Sequence, residues 1–561
     1  MRRAPAVAIL IAIALVASLA GCRRDRDAHP AAAAGAAWFE EIAARAGITF
    51  VHTSGHATTH LLPEIMGGGA ALFDFDNDGF LDLYLVQSGS LDTAEREPFK
   101  RASGNRLYRN RGNGTFEDVT ERANAGAFGY GMGVTAGDFD NDGFTDLYVT
   151  NFGGNVLLRN DGRGRFVDVT AKAGVAAGGW STSAAFVDYD ADGWLDLFVT
   201  RYLNWQPAAE VECYSLTGVP DYCSPASYDL PAPSVLYHNN GDGTFTDVST
   251  RSGIAGAVGN GLGVVAGDFD DDGRIDLFVA NDRTPNHLWL NQGGGRFQES
   301  ALATGSALDQ DGTAKSGMGV DAADVDDDGD LDLLVVNLDG ESDSFFRNRG
   351  RFFSDDTAAA GLRTASRPVT RFGTGFVDFD NDGYLDLFEA NGRVGMQSER
   401  YSSDPYAEPS LLFRGLAGPR FEEVNPRGGT TAPLVATSRA AAFGDIDNDG
   451  GVDIVVVNRD GSPYLLHNIV IARGHWLTLR VVDEHGRDAI GAQVTMKVGG
   501  RTIRRDVRAA YSYLASNDPR VHVGLGAETS AHEVTVRWAD GTTQSFGDQQ
   551  ADRITTLRRL R

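Results

Sequence analysis

The sequence predicts an all-β protein: seven repeated four-stranded units followed by a small antiparallel β domain. Three observations predict it. Glycine supplies 69 of the 561 residues, well above the usual ~7%. It lacks the G-X-Y period of collagen and has apolar residues between its occurrences, so the chain is rich in tight turns. A nine-residue acidic pattern recurs seven times, and short β-type runs follow each recurrence. With 42% hydrophobic and 23% charged residues, the chain is too apolar for disorder and long enough for more than one domain. The net charge is −27, from 77 acidic against 50 basic residues, which disfavours sequence-independent nucleic-acid binding. Three cysteines exclude a disulfide scaffold.

The first element is an address. Arg2 and Arg3 precede an apolar run from Ala4 to Ala20, and Leu19-Ala20-Gly21-Cys22 follows. A basic start, an apolar stretch and small residues before a cut describe a signal peptide; the run is marginal for a membrane span. Cys22 after Leu-Ala-Gly resembles the bacterial lipobox, whose Cys becomes the lipidated N-terminus. Residues 1–22 are thus expected to be a lipoprotein signal peptide. Arg rather than Asp at residue 23 favours, by the same resemblance, the outer membrane. Residues 23–37 read as a flexible tether.

The pattern D-x-D-x-D-G-x-x-D comes next. It supplies Asp74, Asp76, Asp78 and Asp82 in the first copy, and Asp138, Asp140, Asp142 and Asp146 in the second. The third has Asp188, Asp190, Asp192 and Asp196, and the fourth Asp268, Asp270, Asp272 and Asp276. The fifth has Asp324, Asp326, Asp328 and Asp332, the sixth Asp378, Asp380, Asp382 and Asp386, and the seventh Asp445, Asp447, Asp449 and Asp453. Carboxylates at alternate positions of a tight turn converge on one cation, and hard oxygen donors in that number suit Ca²⁺. Asp and Gly are also ordinary turn formers, but that does not account for a four-Asp frame kept seven times. About seven Ca²⁺ sites are expected. An EF-hand is excluded, because its twelfth position needs a bidentate Glu. Here that position holds Leu85, Val149, Val199, Val279, Val335, Glu389 and Val456, and Glu389 is read as a coincidence. Runs such as Leu83-Tyr84-Leu85-Val86 make each acidic loop a link between two strands.

The rest of each unit completes four strands. A glycine-rich strand such as Gly131-Met132-Gly133-Val134 precedes the loop. A third strand of the type Leu107-Tyr108-Arg109-Asn110 or Leu236-Tyr237-His238-Asn239 follows it, and then a fourth such as Phe116-Glu117-Asp118-Val119. Four short strands are the content of a β-propeller blade. Phe-type fourth strands begin at Phe39, Phe116, Phe166, Phe245, Phe297, Phe353 and Phe421. The first precedes any acidic loop, and the seventh unit lacks one. Residues 38–43 are therefore expected to complete the seventh blade and close the ring, removing the open edges. These repeats resemble the FG-GAP/VCBS family, the calcium-loop blades also seen in integrin α-chain heads. The resemblance implies a seven-bladed propeller over residues 38–470.

From His475 the pattern changes to alternating segments, Leu477–Val481, Gln493–Val498 and Glu533–Trp538, with Gly499-Gly500 and Asp540-Gly541 as hairpin turns. The stretch Gly486–Ala492, then Ser512–Arg520, then Val523–Gly526 resembles the ASPIC/UnbV domain, over residues 475–561. The whole chain thus resembles a bacterial member of the cartilage acidic protein family, which implies an exported calcium-binding protein and supplies no reaction. Residues 475–561 hold thirteen Arg and Lys against ten Asp and Glu, a charge of +3, and residues 1–27 hold five Arg against two Asp, also +3, leaving −33 for residues 28–474. Face-to-face docking of the two domains, or a basic side meeting anionic glycans, are both open on this count.

Three further groups stand out. Cys213 and Cys223 lie in a long insertion between the third and fourth loops, and an exported chain permits a disulfide. His52, His56 and His60, followed by Glu64, recur every four residues; the Thr/Gly/Ser-rich context makes a loop the expectation rather than a metal-binding or catalytic helix. Arg487, Asp488, Tyr513, Asn517, Asp518 and Arg520 form the polar centre of the C-terminal motif, either a buried network or a ligand site. No G-x-S-x-G, H-E-x-x-H, C-x-x-C or Walker pattern occurs. The expected role is a calcium-binding, lipid-anchored envelope protein that binds a protein or glycan partner without catalysis and without nucleic acid. The alternatives are an enzyme or accessory protein of natural-product biosynthesis, with a site in the propeller channel or the C-terminal domain, and a structural or assembly component of the envelope.

Overall fold

A computed structural model describes residues 35–56, 58–91, 104–397 and 401–560. The predicted signal segment with Cys22, and nearly all of the tether, lie outside the described residues. Strands carry almost all of the regular structure, joined by one-turn helices such as Thr120–Ala123 and Thr170–Ala173.

Among the described residues, seven sheets with four antiparallel strands each follow one another along the chain, the first of them extended by a short parallel fifth strand, Ala515–Ser516. In the second, Tyr130–Gly137, Asp146–Phe152, Val156–Asn160 and Phe166–Asp168 pair in that order. The acidic loop always joins the first strand to the second. The alternation of the repeat explains the layers. On each strand one row of apolar side chains meets the preceding sheet and the other row meets the next. Phe73, Tyr84 and Leu107 of sheet 1 thus share a core with Val134, Leu147 and Leu158 of sheet 2. The seventh sheet takes its fourth strand from the N-terminal side: Phe39–Glu41 pairs antiparallel with Tyr464–Asn468, with Phe39 opposite Asn468. Phe39 is buried edge-on against Phe379, their ring centres 5.2 Å apart. First strands pack on first strands in chain order, and that of sheet 7 (Ser438–Gly444) packs on that of sheet 1 (Ala70–Phe73). The glycines at these strands allow the convergence. A Cβ at Gly319 would lie 2.0 Å from the Phe372 carbonyl oxygen.

The C-terminal domain stacks two sheets around Leu477, Leu479, Val494, Met496, Val523, Val534 and Val536. Hairpin tips fall at Gly499-Gly500 and Asp540-Gly541. One pairing departs from the antiparallel expectation: His475–Val482 runs antiparallel to Val521–Gly526 but parallel to Arg553–Arg558. The last strand returns to its partner only after the rest of the domain has been built, and such a crossover leaves no local turn to read.

The two domains are joined by a segment that the sequence did not place. Residues 507–520 leave the C-terminal domain and fill the centre where the first strands converge. Ala515 and Ser516 pair in parallel with Ala70 and Ala71 of sheet 1. Ser512 exchanges backbone hydrogen bonds with Val320 of sheet 5. Its hydroxyl donates to the Ala441 carbonyl of sheet 7 and accepts from Thr374 N–H of sheet 6. Leu514 N–H donates to Ser183 Oγ of sheet 3, and Ser516 Oγ accepts Ala136 N–H of sheet 2. Six of the seven first strands are thus tied to one segment. Its tight path puts Ser512 and Leu514 at φ of 80° and 54°.

Candidate functional site

Each acidic loop is built by its own carboxylates. In six loops the first Asp accepts two backbone N–H groups, as Asp74 takes those of Asp78 (3.0 Å) and Gly79 (2.9 Å); in the fifth, Asp324 accepts Gly329 N–H alone (3.2 Å). The fifth-position Asp accepts from two residues on, Phe80 N–H to Asp78 at 3.0 Å, and the same bond recurs in the other six loops. The ninth-position Asp is fully buried in every loop. Asp82 takes Phe75 N–H (2.9 Å) on one oxygen and Asn110 N–H (2.8 Å) on the other, tying loop, second strand and third strand together. The residue between the third- and fifth-position Asp also has a fixed shape: Asn77, Asn141, Ala191, Asp271, Asp327, Asn381 and Asn448 all have φ near +57°.

Turn chemistry therefore accounts for the first, fifth and ninth positions, and it does not account for the third. Asp76, Asp140 and Asp326 each keep a buried Oδ1 that accepts no hydrogen bond. Carboxylate oxygens of Asp74, Asp76 and Asp82, and of Asp138, Asp140 and Asp146, lie within 4.8 Å of one another. An all-oxygen set with an unclaimed buried donor fits a hard divalent cation. The electrostatics agree. Burial, reinforced by the neighbouring loop carboxylates, pushes the ninth-position groups up, Asp82, Asp276 and Asp332 to about 8 and Asp196 to about 9. Burial likewise raises Asp138 and Asp445 to about 7. A bound cation would reverse that cost.

Sequence reasoning missed two residues of this site. The first is the basic side chain on the third strand. Arg109 reaches Asp76 and Asp78 at 2.6 Å each, Arg414 reaches Asp380 and Asp382 at 2.9 and 2.7 Å, and His467 lies 3.0 Å from Asp453. Its signal was the Arg or His before the strand-ending Asn, interrupted by Leu290 in the fourth unit. The second is that Asn. The Nδ2 of Asn160 donates to the Phe75 carbonyl of the preceding loop (2.8 Å), Asn239 does so to Phe139 and Asn291 to Tyr189. Asn110 donates to Ile446 of the seventh loop (2.8 Å), so the clasp also runs from sheet 1 to sheet 7. The sixth unit has Gly415, where a Cβ would lie 2.0 Å from the Leu385 carbonyl oxygen.

Glu389 is not part of the sixth loop. It sits mid-strand opposite Thr374 and Leu411, fully buried. Burial, reinforced by Asp343, holds its carboxyl well above the usual range.

The C-terminal domain sits on the acidic-loop face, its arginines inward. Arg501 pairs with Asp327, Arg508 with Asp321 (2.6 Å) and Arg537 with Asp268 (3.2 Å). Arg520 donates to Asn448 Oδ1 (2.7 Å) and the Asp445 carbonyl (3.0 Å). This divides the six polar motif residues. Tyr513 and Asn517 are wholly buried in the central segment. Tyr513 Oη donates to the Met66 carbonyl (2.8 Å), and Asn517 bonds Phe443 N–H, the Ala509 carbonyl and the Tyr511 carbonyl. Arg487, Asp488, Asp518 and Arg520, with an edge of Asn517, line a cavity of about 180 Å³ between the domains, beside Asp74, Asp138 and apolar Phe73, Leu81, Ile490 and Ile554. Within it, Arg520 pairs with Asp518 (2.8 Å), Arg480 with Asp488 (3.1 Å) and Arg487 with Asp483 (2.6 Å).

On the opposite face, Cys213 and Cys223 are joined by a disulfide. It closes a hairpin in which Cys213–Tyr214 pairs with Pro220–Asp221. His52 is buried, its Nε2 3.0 Å from Ser88 Oγ and its Nδ1 accepting Asp460 N–H (3.3 Å). The segment is a loop leading to a 3₁₀ turn at Leu62–Ile65, so the three histidines share no helical face.

Fold and site together define an all-β repeat protein whose sheets each carry one carboxylate loop, capped by a second β domain. FG-GAP-like repeats match at residues 74–149, 138–199, 217–279, 268–335 and 324–389, segments that together cover more than half of the chain. The ASPIC and UnbV domain matches at residues 482–560. The chain belongs to the FG-GAP-like repeat family and carries a C-terminal ASPIC and UnbV domain. Cartilage acidic protein 1 of Homo sapiens is 28% identical over 309 residues, 53% of this chain and 43% of that protein. The Xenopus tropicalis protein of the same name is 28% identical over 313 residues, 53% of this chain and 44% of the relative. The matched part thus spans less than half the length of these relatives. Among solved structures, the BP39L lectin from Burkholderia pseudomallei is similar at 11% identity and a TM-score of 0.42, over 72% of this chain and 96% of that one.

Proposed function

We propose that this protein is a calcium-stiffened binding module of the cell envelope, anchored through a lipid on Cys22 and recognising a protein or glycan partner without catalysis. The seven sheets act as the blades of a closed seven-bladed β-propeller, and the seven acidic loops each hold one Ca²⁺. The loop face is covered by the C-terminal domain and the centre is filled by residues 507–520, which leaves the opposite face for recognition. One observation carries the reading. The disulfide-closed hairpin on that face exposes Tyr214, Leu216 and Val219, with Leu216 94% accessible. Apolar side chains on a pinned, polar-flanked tip are arranged for contact rather than for folding.

The test is capture of glycans and envelope proteins by the immobilised chain, in Ca²⁺ and in chelator, with Leu216→Asp and Tyr214→Ala variants. Binding that needs Ca²⁺ and is lost in the tip variants is the expected result. Binding indifferent to both would refute the proposal. The interdomain cavity favours a second reading, a small-molecule site with or without chemistry, because Arg487 keeps one buried Nη1 that makes no hydrogen bond there. A small ligand whose binding is abolished by Arg487→Met but unaffected by Leu216→Asp would favour it.

A further inference from the structure

The histidine segment holds chemistry that the binding reading does not use. With His52 engaged on both ring nitrogens, His56 and His60 remain, at the face away from the C-terminal domain. His56 Nδ1 lies 2.7 Å from Glu64 Oε2. Glu64 is buried on the 3₁₀ turn and also accepts Leu61 N–H (3.3 Å) and Tyr222 Oη–H (3.4 Å). A carboxylate held this way accepts a hydrogen bond from Nδ1–H of the imidazole, fixes the ring and leaves the Nε2 lone pair free. That is the arrangement a carboxylate gives a metal-binding histidine.

The second imidazole stands beside the first. The rings of His56 and His60 have centres 4.7 Å apart, tilted by 44°. Two imidazoles sharing one ion at about 2.1 Å, with an angle of roughly 90–109° between them, have centres ~4.5–5.2 Å apart. The observed spacing lies inside that interval. Tyr222 holds the pair from the far side, its ring centre 4.8 Å from that of His60 and 6.0 Å from that of His56. Tyr222 directly precedes Cys223 of the disulfide. Arg459 Nη1 donates to Tyr222 Oη (3.2 Å). The carboxylates beside the pair are Glu64, bonded to His56, and Asp221, which acts on His60, while the Arg459 guanidinium is itself paired with Asp460 (3.3 Å), so the local field favours a cation.

We propose that His56 and His60 bind a divalent transition metal of the zinc, nickel or copper(II) class, with Glu64 orienting His56 through Nδ1. Imidazole donors select such an ion over Ca²⁺, whose ligands are oxygens. Two protein nitrogens leave coordination positions open towards solvent, where water or a ligand with an oxygen or nitrogen donor can enter.

The experiment uses the full chain without an affinity tag, saturated with Ca²⁺ so that the acidic loops are occupied, and titrated with Cu²⁺. One equivalent should bind, with electron paramagnetic resonance showing coupling to two imidazole nitrogens. His56→Ala or His60→Ala should remove one coupled nitrogen and weaken binding at least tenfold. Glu64→Gln should keep both nitrogens and weaken binding about ten- to hundredfold, the usual range for an orienting partner. His485→Ala, which changes an exposed histidine of the C-terminal domain, should leave the copper titration and the spectrum as in the wild type. Melting temperatures in Ca²⁺ confirm that each variant is folded. An unchanged spectrum in the His56→Ala, His60→Ala double variant, or no stoichiometric binding by the folded wild type, overturns the proposal.

Discussion

Within the second acidic loop, two carboxylates make opposite predictions. Asp146 is fully buried, accepting Phe139 N–H at 3.1 Å and Asn160 N–H at 2.7 Å. Asp146→Ala leaves two buried donors unpaired at about 1–3 kcal/mol each, so it should destabilise by ~2–6 kcal/mol with or without Ca²⁺. Asp140 keeps Oδ1 buried without a partner, and its Oδ2 faces Arg159 at 3.4 Å. Asp140→Asn preserves the shape and removes one charge from a crowded cluster, so stability in chelator should be unchanged within ~0.5 kcal/mol or rise slightly. Extracellular calcium modules have Kd of roughly 10⁻⁴ to 10⁻³ M. At ~1 mM Ca²⁺ linkage then contributes about 0.4–1.4 kcal/mol per site. The melting entropy of about 2.1 cal/mol/K per residue, over about 430 residues, makes 1 kcal/mol equivalent to roughly 1 °C. Calorimetry should therefore show the wild type melting ~3–11 °C higher in Ca²⁺ than in chelator, if the seven sites act independently. Asp140→Asn should lose ~0.5–1.5 °C in Ca²⁺ and nothing in chelator, while Asp146→Ala should melt lower in both. Equal losses for Asp140→Asn in the two conditions, or a wild type indifferent to chelation, would mean that the carboxylates only shape turns.

Two further outcomes follow from the packing. Phe39→Ala empties a fully buried site between sheets 6 and 7 and should cost about 3–5 kcal/mol; deleting residues 38–47 should lower the melting temperature far more than deleting residues 23–37, and equal values for the two deletions would contradict closure by the N-terminal strand. Asn517→Ala strips partners from Phe443 N–H and two carbonyls in the central segment, so limited proteolysis should cut the C-terminal domain free of the sheets at lower protease than in the wild type, and unchanged digestion would contradict the segment's anchoring role.

The sequence by itself determined what is local or repeated. The acidic loop is nine residues of turn chemistry, and each Asp that shapes it finds an N–H partner within seven residues; only the second partner of the ninth-position Asp lies farther off, on the third strand. Strand order followed from the fixed order of motifs. The spare Phe39 strand could be matched to the seventh sheet, because a unit with three strands and an end with one leave a single assignment. Contacts between units were decided only by the tertiary structure. Arg109 and Asn110 read as strand residues until the fold set one on the loop carboxylates and the other on the Ile446 carbonyl, more than three hundred positions away. Tyr513 and Asn517 looked like candidates for a ligand site because polar residues in a dense motif give no sign of what they face. They bond to Met66 and Phe443, which the chain brings to the centre only when the first strands converge. The +3 charge of the C-terminal domain did not say where it would settle. That followed from Arg501, Arg508, Arg520 and Arg537 all lying on the side that meets the acidic loops. A residue type constrains its own backbone strongly and its distant partner hardly at all, since the partner is chosen by how whole sheets stack.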